Sequence, residues 1–119
     1  MDKIITMEQK IEQYKPLIKK LVIRISNKEY DLIKTNGQNG RVNIEDLKRV
    51  IDDYGCTIVS LPDKAFSIAE AYDITSENRI DIYLPLWTKE EGRSDLTLSL
   101  SCYNDNGVPK IEINDIRVL

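Results

Sequence analysis

A chain of 119 residues, 41% hydrophobic and 31% charged, has the length and composition of one globular domain with its own core. The net charge of −3 is uneven, because residues 1–55 carry eleven Lys and Arg against nine Asp and Glu, whereas residues 56–119 carry six against eleven. Phosphate binding needs a basic surface, so we expect no nucleic-acid partner, and a basic protein is the electrostatically favoured partner.

No apolar segment typical of a secretory signal peptide follows the first residues, and the longest apolar run, residues 83–87, is too short to span a bilayer. We therefore expect a cytoplasmic protein with no membrane partner. The two cysteines, Cys56 and Cys102, lie in apolar patterns and the chain has no histidine, which favours buried structural thiols. A disulfide between them would require an oxidising compartment.

The first predicted element is an N-terminal helix, because apolar residues recur at three- and four-residue steps over residues 11–25. Thr6 and Gln9 fit a capping box at its start. Pro16 lies inside the pattern and either kinks the helix or starts a second helical segment. We favour one helix with an irregularity at residues 14–16, whose lysine cluster forms the solvated face.

Two further helices are predicted next. A second capping-box pattern at residues 26–29 and a glycine at Gly37 delimit a short helix, although the neighbouring Asn-Gly pairs also favour an extended segment with turns. Asn43 is typical of a helix N-cap and Gly55 of a helix C-terminus, so the third helix lies between them. The Asp52–Asp53 pair lies in its last turn and opposes the helix dipole, which indicates either an outside partner or no role.

After Gly55 the hydrophobic period changes from helical to strand-like. The predicted strands cover residues 56–61, 66–74, 80–87, 96–103 and 111–118. A polar turn is expected at residues 75–79, a hairpin turn at residues 104–107, and a bulge near Asn114–Asp115, where the period of two breaks. The connections are too short for parallel crossovers. We therefore predict one α+β domain, residues 1–119, with two or three N-terminal helices packed on one face of a four- to five-stranded antiparallel sheet.

Alternation along the central strands has a consequence for function. If the apolar side chains face the helices, the other set lines an open sheet face, and its members are Asp81, Tyr83, Trp87, Thr97, Ser99, Ser101, Tyr103 and Glu112. Tryptophan and tyrosine are typical anchors of protein interfaces, so this face is a candidate binding surface. In the competing interpretation, the aromatic residues pack under a loop or against a helix on that side.

Catalytic patterns are absent from the sequence. Without histidine, neither a Ser-His-Asp nor a Cys-His arrangement can form, and no EF-hand or phosphate-binding glycine pattern occurs. Two of the three carboxylates Glu90, Glu91 and Asp95 could act as a glycosidase-like pair. Basic residues lie beside them, so the simpler interpretation is a charged loop held by ion pairs between its own side chains. We therefore expect no enzyme activity, no cofactor and no metal.

The pattern Leu86-Trp87-Thr88-x-Glu90-Glu91-Gly92-Arg93-Ser94-Asp95-Leu96-Thr97-Leu98 resembles the signature of a small bacterial domain family whose function is not defined. Its members share an N-terminal helix, a Tyr-Gly helix end and a final Ile-x-Asp-x-x-Val-Leu, which here is residues 113–119. The resemblance covers most of residues 40–119. Small acidic domains of this kind resemble immunity proteins of polymorphic toxin systems, including contact-dependent growth inhibition. That resemblance implies neutralisation of a cognate toxin, often a basic nuclease, by acidic and aromatic side chains.

The sequence thus predicts a non-enzymatic binding protein, an immunity protein that inhibits a toxin by stoichiometric contact. The expected partner-binding residues are Trp87, Glu90, Glu91, Arg93 and Asp95, with Tyr83 and Tyr103 as secondary anchors. One alternative is a small-molecule-binding module with a pocket between the helices and a curved sheet. In another, the loop only stabilises the fold: Arg93 pairs with Asp95 or Glu90, and Trp87 is buried.

Overall fold

The computed structural model describes residues 7–119 and confirms the predicted α+β architecture, with helices packed on one face of an antiparallel sheet. The helices are α1 (Met7–Glu12), α2 (Lys15–Ser26), α3 (Tyr30–Thr35), α4 (Ile44–Tyr54) and α5 (Lys64–Ile68). The strands are β1 (Ile58–Val59), β2 (Glu70–Ile74), β3 (Arg79–Thr88), β4 (Gly92–Asp105) and β5 (Val108–Val118). None of the helices in these residues is long and apolar enough to cross a membrane.

The sheet is built around a meander of the three long strands β3, β4 and β5, and every pairing in it is antiparallel. The short strands β1 and β2 both pair with β3, one near each end of it. The hairpin between β4 and β5 turns at Asn106 and Gly107, whose φ angles of 52° and 81° suit a tight two-residue turn. The predicted bulge is confirmed, since the β4–β5 register shifts at Asn114.

The N-terminal helical region is two helices, so the favoured prediction of one irregular helix is wrong. The N–H of Tyr14 donates to the carbonyl of Ile11 at 2.8 Å, and this turn separates α1 from α2. Pro16 lies in the first turn of α2, where its missing N–H costs no helical hydrogen bond. The capping box predicted at Thr6 lies outside the described residues.

The second predicted helix forms as α3, but its predicted start is wrong. Ser26 is the last residue of α2, and its hydroxyl donates to the carbonyl of Ile23 at 2.7 Å instead of capping the next helix. The helix α3 begins at Tyr30, after Lys28 has taken a left-handed φ of 58°.

Helix α4 confirms its predicted caps. The side-chain oxygen of Asn43 accepts from the N–H of Glu45 at 2.8 Å, and Gly55 ends the helix with a φ of 80°.

The segment between α4 and β3 differs most from the prediction. The strand predicted over residues 56–61 is reduced to β1, and the start of the strand predicted over residues 66–74 is the helix α5. The N–H of Ala65 donates to the carbonyl of Pro62 at 3.0 Å, and the helical turn buries Ala65 completely. Burial of this side chain in the core outweighs the local alternation of apolar residues.

The core fills the space between the helices and the sheet. Its largest fully buried side chains are Ile18, Leu21, Ile25, Ile33 and Leu47 from the helices, and Ile82, Leu84, Leu86, Leu96, Leu98, Leu100 and Ile113 from the sheet. The leucines of β3 and β4 that alternate in sequence therefore face the helices, as predicted.

Candidate interaction surface

The sheet face turned away from the helices, called the open face below, brings together most of the residues predicted for it. Asp81 lies opposite Ser101, and Tyr83 lies opposite Ser99, across the β3–β4 pairing. Glu112 lies opposite Ser101 on the other side of β4. Directly paired residues share a face of the sheet, so these side chains form one continuous surface. At its centre, Ser99 and Ser101 have short side chains and are buried.

The most exposed aromatic group on the open face is a pair of tyrosines from β2 and β3. Tyr72 and Tyr83 are 49% and 42% exposed, and their rings meet edge to face with centroids 5.7 Å apart. The hydroxyl of Tyr72 donates to the carboxylate of Glu70 at 2.8 Å, and this contact raises the pKa of Tyr72. Tyr72 was not among the residues predicted for this face, because alternation alone does not say which strand lies beside β3.

A chain of polar contacts crosses the open face from β3 to β5. Arg79 pairs with Asp81, whose carboxylate accepts from the hydroxyl of Ser101 at 3.1 Å. Ser101 in turn accepts from the side-chain amide of Asn114 at 2.7 Å. Because each of these groups has a partner within the chain, this part of the surface is preorganised.

Tyr103 and Glu112 form a second polar contact on the open face. The hydroxyl of Tyr103 donates to the carboxylate of Glu112 at 2.9 Å, and this hydrogen bond is the main reason why the pKa of Tyr103 is raised. The partner of Glu112 is a neutral hydroxyl, so the contact leaves its negative charge uncompensated. Tyr103 is only partly exposed, whereas Tyr83 on the neighbouring strand is exposed.

The signature loop, residues 87–95, is attached to the segment before β1 through Glu90. Its carboxylate accepts from the N–H of Thr57 at 2.7 Å and from the hydroxyl of Thr57 at 2.9 Å. These hydrogen bonds lower the pKa of Glu90, with the backbone contact as the largest cause. The N–H of Lys89 also donates to the carbonyl of Thr57 at 2.9 Å. Glu90 therefore has a structural role, whether or not it touches a partner.

Glu91 attaches the same loop to the end of α4. Its carboxylate accepts from the hydroxyl of Tyr54 at 2.8 Å, which raises the pKa of that hydroxyl. The Tyr54 oxygen accepts from the N–H of Asp95 at 3.2 Å, and the N–H of Glu91 donates to the hydroxyl of Thr88 at 3.0 Å. Glu90 and Glu91, both predicted to contact a partner, thus fix the loop to other parts of the chain.

Trp87 is neither buried nor open. It is half-buried, packs against the core, and lies opposite Arg93 across the β3–β4 pairing. Arg93 and Asp95 are exposed, and neither forms an ion pair in the described part of the chain. The pairing of Arg93 with Asp95 or Glu90, which the fold-stabilising interpretation expects, therefore does not occur.

The domain of unknown function DUF7668 matches residues 22–119, which is most of the chain. The chain belongs to the DUF7668 family. The match includes the signature loop, the open face and helices α3 and α4. No curated protein and no solved structure matches the chain.

The thiols of this DUF7668 domain are poorly suited to nucleophilic chemistry. Cys102 is fully buried, as predicted, and burial, with a smaller effect of Asp81, raises its pKa to about 12. Cys56 is partly exposed, so the prediction of a buried thiol is wrong there; its pKa is also raised, first by desolvation and then by Glu91. Within residues 7–119, no group of three or more Cys, Asp or Glu side chains could hold a metal ion.

Proposed function

We propose that this chain is a non-enzymatic binding protein, an immunity protein that neutralises a cognate bacterial toxin by direct stoichiometric contact. The observation that carries the proposal is the exposed edge-to-face pair of Tyr72 and Tyr83, on the sheet face turned away from the helices of residues 7–119. Tyrosine contributes a large, rigid contact area and loses little conformational freedom on binding, so it is frequent at the centre of protein interfaces.

The carboxylates on and beside the open face support a basic partner. Glu70 and Glu112 accept hydrogen bonds from tyrosine hydroxyls, and neither they nor Asp95 form an ion pair with a basic side chain among the described residues. Such carboxylates steer a basic protein toward the surface and then pair with its lysines or arginines. A toxin with a basic active site, such as a nuclease, has the complementary chemistry.

The signature loop adds contact groups beside the open face. Arg93 forms no ion pair in the part of the chain that the structure describes, and it lies opposite the half-buried Trp87, so a partner that covers the indole also reaches this cation. Glu90 and Glu91 hold the backbone of the loop through Thr57 and Tyr54. In this proposal Trp87, Arg93 and Asp95 contact the toxin, while the two glutamates position them.

Two further observations favour protein binding over catalysis or over the binding of a small molecule. The pKa of Glu90 is lowered, whereas a glycosidase acid needs a raised pKa to keep its proton at neutral pH. Large side chains such as Leu21, Leu47 and Leu98 fill the space between helices and sheet, where a small-molecule pocket was expected.

The test is co-expression with the product of the immediately upstream gene. We expect a 1:1 complex by size-exclusion chromatography and suppression of the toxicity of the upstream product. A Tyr72→Ala/Tyr83→Ala double variant should weaken the complex by at least about 100-fold, as expected for aromatic hot spots. Leu32→Ala removes an equally exposed apolar side chain from α3 and is the matched control, with little expected effect. If the upstream gene encodes no toxin and nothing co-purifies, the proposal fails.

A further inference from the structure

Four residues of the open face form a square of alternating aromatic and acidic side chains, called the tyrosine corner below. Glu70 lies opposite Tyr83, and Tyr72 lies opposite Asp81, across the β2–β3 pairing. Residues that pair directly share a sheet face, and so do residues two apart on one strand. The two tyrosines therefore occupy one diagonal of the square and the two acids the other. The patterns Glu-x-Tyr on β2 and Asp-x-Tyr on β3 produce this arrangement through the antiparallel register.

The two tyrosine rings line a cleft that is open to solvent. Their planes meet at 80°, and about half of each side chain is exposed. The cleft has a volume of about 410 Å³ and is lined by the four residues of the tyrosine corner and by Ile74. The face of an aromatic ring carries partial negative charge. A group that enters the cleft therefore meets negative ring faces as well as carboxylates.

The charges around the tyrosine corner favour a cation. The five side chains that line the cleft include two acids and no base. Glu70 accepts from the hydroxyl of Tyr72 and forms no ion pair with a basic side chain within residues 7–119. Asp81 pairs with Arg79, but Arg79 also pairs with Glu77, so one cation faces two carboxylates there. Acidic groups thus outnumber the basic groups that compensate them, and the local field attracts positive charge.

The groups in the cleft select the kind of cation. A metal ion prefers several oxygen ligands, and no cluster within residues 7–119 supplies three acidic or thiol side chains for one. Ring faces instead attract organic cations. A guanidinium group is planar and weakly hydrated, so it can stack on a ring while its edge donates to a carboxylate, whereas an ammonium group is more strongly hydrated. The tyrosine corner is therefore best suited to arginine.

We propose that the tyrosine corner receives the side chain of an arginine of the protein partner. The proposal rests on the binding function above and names the group that the partner inserts. The guanidinium plane stacks on a tyrosine ring, and its N–H groups donate to the carboxylate of Glu70, which retains acceptor sites beyond the one used by the tyrosine hydroxyl. Asp81 is held by Arg79 and Ser101, so it contributes negative charge without a direct contact. The aliphatic stem packs on Ile74.

The test titrates the whole chain with N-acetyl-arginine N-methylamide and follows two-dimensional amide NMR spectra at constant ionic strength. We expect saturable shifts centred on β2 and β3 at the tyrosine corner. The Kd should be on the order of 10 mM, since one cation–π contact and one charge-assisted hydrogen bond act together. The absence of a saturable shift overturns the proposal.

Two further probes test what the tyrosine corner recognises. N-acetyl-citrulline N-methylamide has nearly the same shape as the arginine probe without its charge, and it should bind at least about tenfold more weakly. N-acetyl-lysine N-methylamide has the charge without the planar fork, and it should bind about threefold more weakly. Equal binding of the citrulline probe overturns a cation site. Binding of the lysine probe as tight as that of the arginine probe overturns the choice of arginine.

Variants separate the ring from its hydroxyl, and the local carboxylate from overall charge. Tyr72→Leu should weaken binding of the arginine probe at least about fivefold, whereas Tyr72→Phe keeps the ring and should change it less than about twofold. Glu70→Gln should weaken it about fivefold. Glu112→Gln is the matched control, because Glu112 also accepts from a tyrosine hydroxyl on the open face but lies outside this cleft.

All these variants except Glu112→Gln change exposed side chains, so we expect them to keep the Tm of the unaltered protein. Equal effects of Tyr72→Leu and Tyr72→Phe on probe binding contradict a role of the ring. Equal effects of Glu70→Gln and Glu112→Gln show attraction by net charge alone and also contradict the assignment.

The outcomes for the two proposals are distinguishable. Failure of the arginine probe removes the arginine site and leaves the immunity function to be judged by co-purification. Probe binding without any co-purified toxin removes the immunity function and shows an arginine site for a different protein partner. When both succeed, the complex should weaken about tenfold with Tyr72→Leu and less than about twofold with Tyr72→Phe.

Discussion

Glu90 and Thr57 are joined by two hydrogen bonds, one from the backbone N–H of Thr57 and one from its hydroxyl, across 33 positions of sequence. This contact places the signature loop against the segment that connects α4 to β1. Together with the bond from Tyr54 to Glu91, it makes the loop part of the rigid fold. The two glutamates of this acidic motif thus bind other parts of the protein itself, while the neighbouring Arg93 and Asp95 are exposed and form no ion pair among the described residues.

The Glu90 contact makes stability depend on pH. The pKa of Glu90 is lowered by Thr57, so its contribution is present above the unfolded-state value of about 4.3 and is lost as the pH falls through the folded value. We expect Glu90→Gln to flatten the fall of Tm between neutral pH and acid below that value. Asp95→Asn is the control, because the Asp95 side chain has no partner among the described residues. A Tm profile of Glu90→Gln parallel to that of the unaltered protein contradicts the assignment.

Trp87→Ala should lower the free energy of unfolding by about 2 kcal/mol, roughly half the cost of removing a fully buried aromatic side chain, because Trp87 is half-buried against the core. Tyr83→Ala, at an exposed position on the same strand, should cost less than about 1 kcal/mol. Urea denaturation measures both. A cost for Trp87→Ala as small as that for Tyr83→Ala would show that the indole is open.

The two thiols should differ in reactivity. Cys102 is fully buried with a pKa of about 12, whereas Cys56 is partly exposed. We expect an alkylating reagent to modify Cys56 in the native protein and Cys102 only after unfolding, since the thiolate must be both formed and accessible. Mass spectrometry of timed samples measures this. Cys56→Ser should abolish the native-state reaction, and rapid labelling that persists in this variant would contradict the burial of Cys102.

Gly40 should tolerate substitution less well than Gly37. Both have positive φ, 55° and 69°, but a Cβ on Gly40 would lie 2.8 Å from the carbonyl oxygen of Ile113, whereas Gly37 faces open space. Gly37→Ala should therefore cost about 1 kcal/mol for the backbone conformation alone, and Gly40→Ala clearly more, about 2–3 kcal/mol. Chemical denaturation of the two variants tests this. Equal costs would show that the loop moves freely away from β5.

The structure explains why the loop at Gly40 must approach so closely. The N–H of Ile113 on β5 donates to the carbonyl of Gln38 at 2.7 Å, which satisfies a backbone donor of the strand. Edge strands with unpaired backbone groups are prone to pair with other chains, and a covering loop prevents that. The chain segment between α3 and α4 therefore covers the edge strand β5 at Ile113.

Features that depend on neighbours in sequence were predictable from the sequence alone. Alternation in β3 and β4 identified the leucines that face the helices, because successive side chains of a strand point to opposite faces. Asn43 and Gly55 marked both ends of α4, since a cap acts within a few residues. The turn at Asn106–Gly107 and the bulge at Asn114 were equally local.

Features that depend on distant neighbours were decided by the tertiary structure. The place of Tyr72 beside Tyr83 follows from the pairing of β2 with β3, and the role of Glu90 follows from its contact with Thr57. Helix α5 replaces a predicted strand because burial of Ala65 in the core outweighs local pattern. Sequence periodicity tells which side chains turn inward, but it cannot tell which strand or loop then packs beside them, since that choice depends on the whole core.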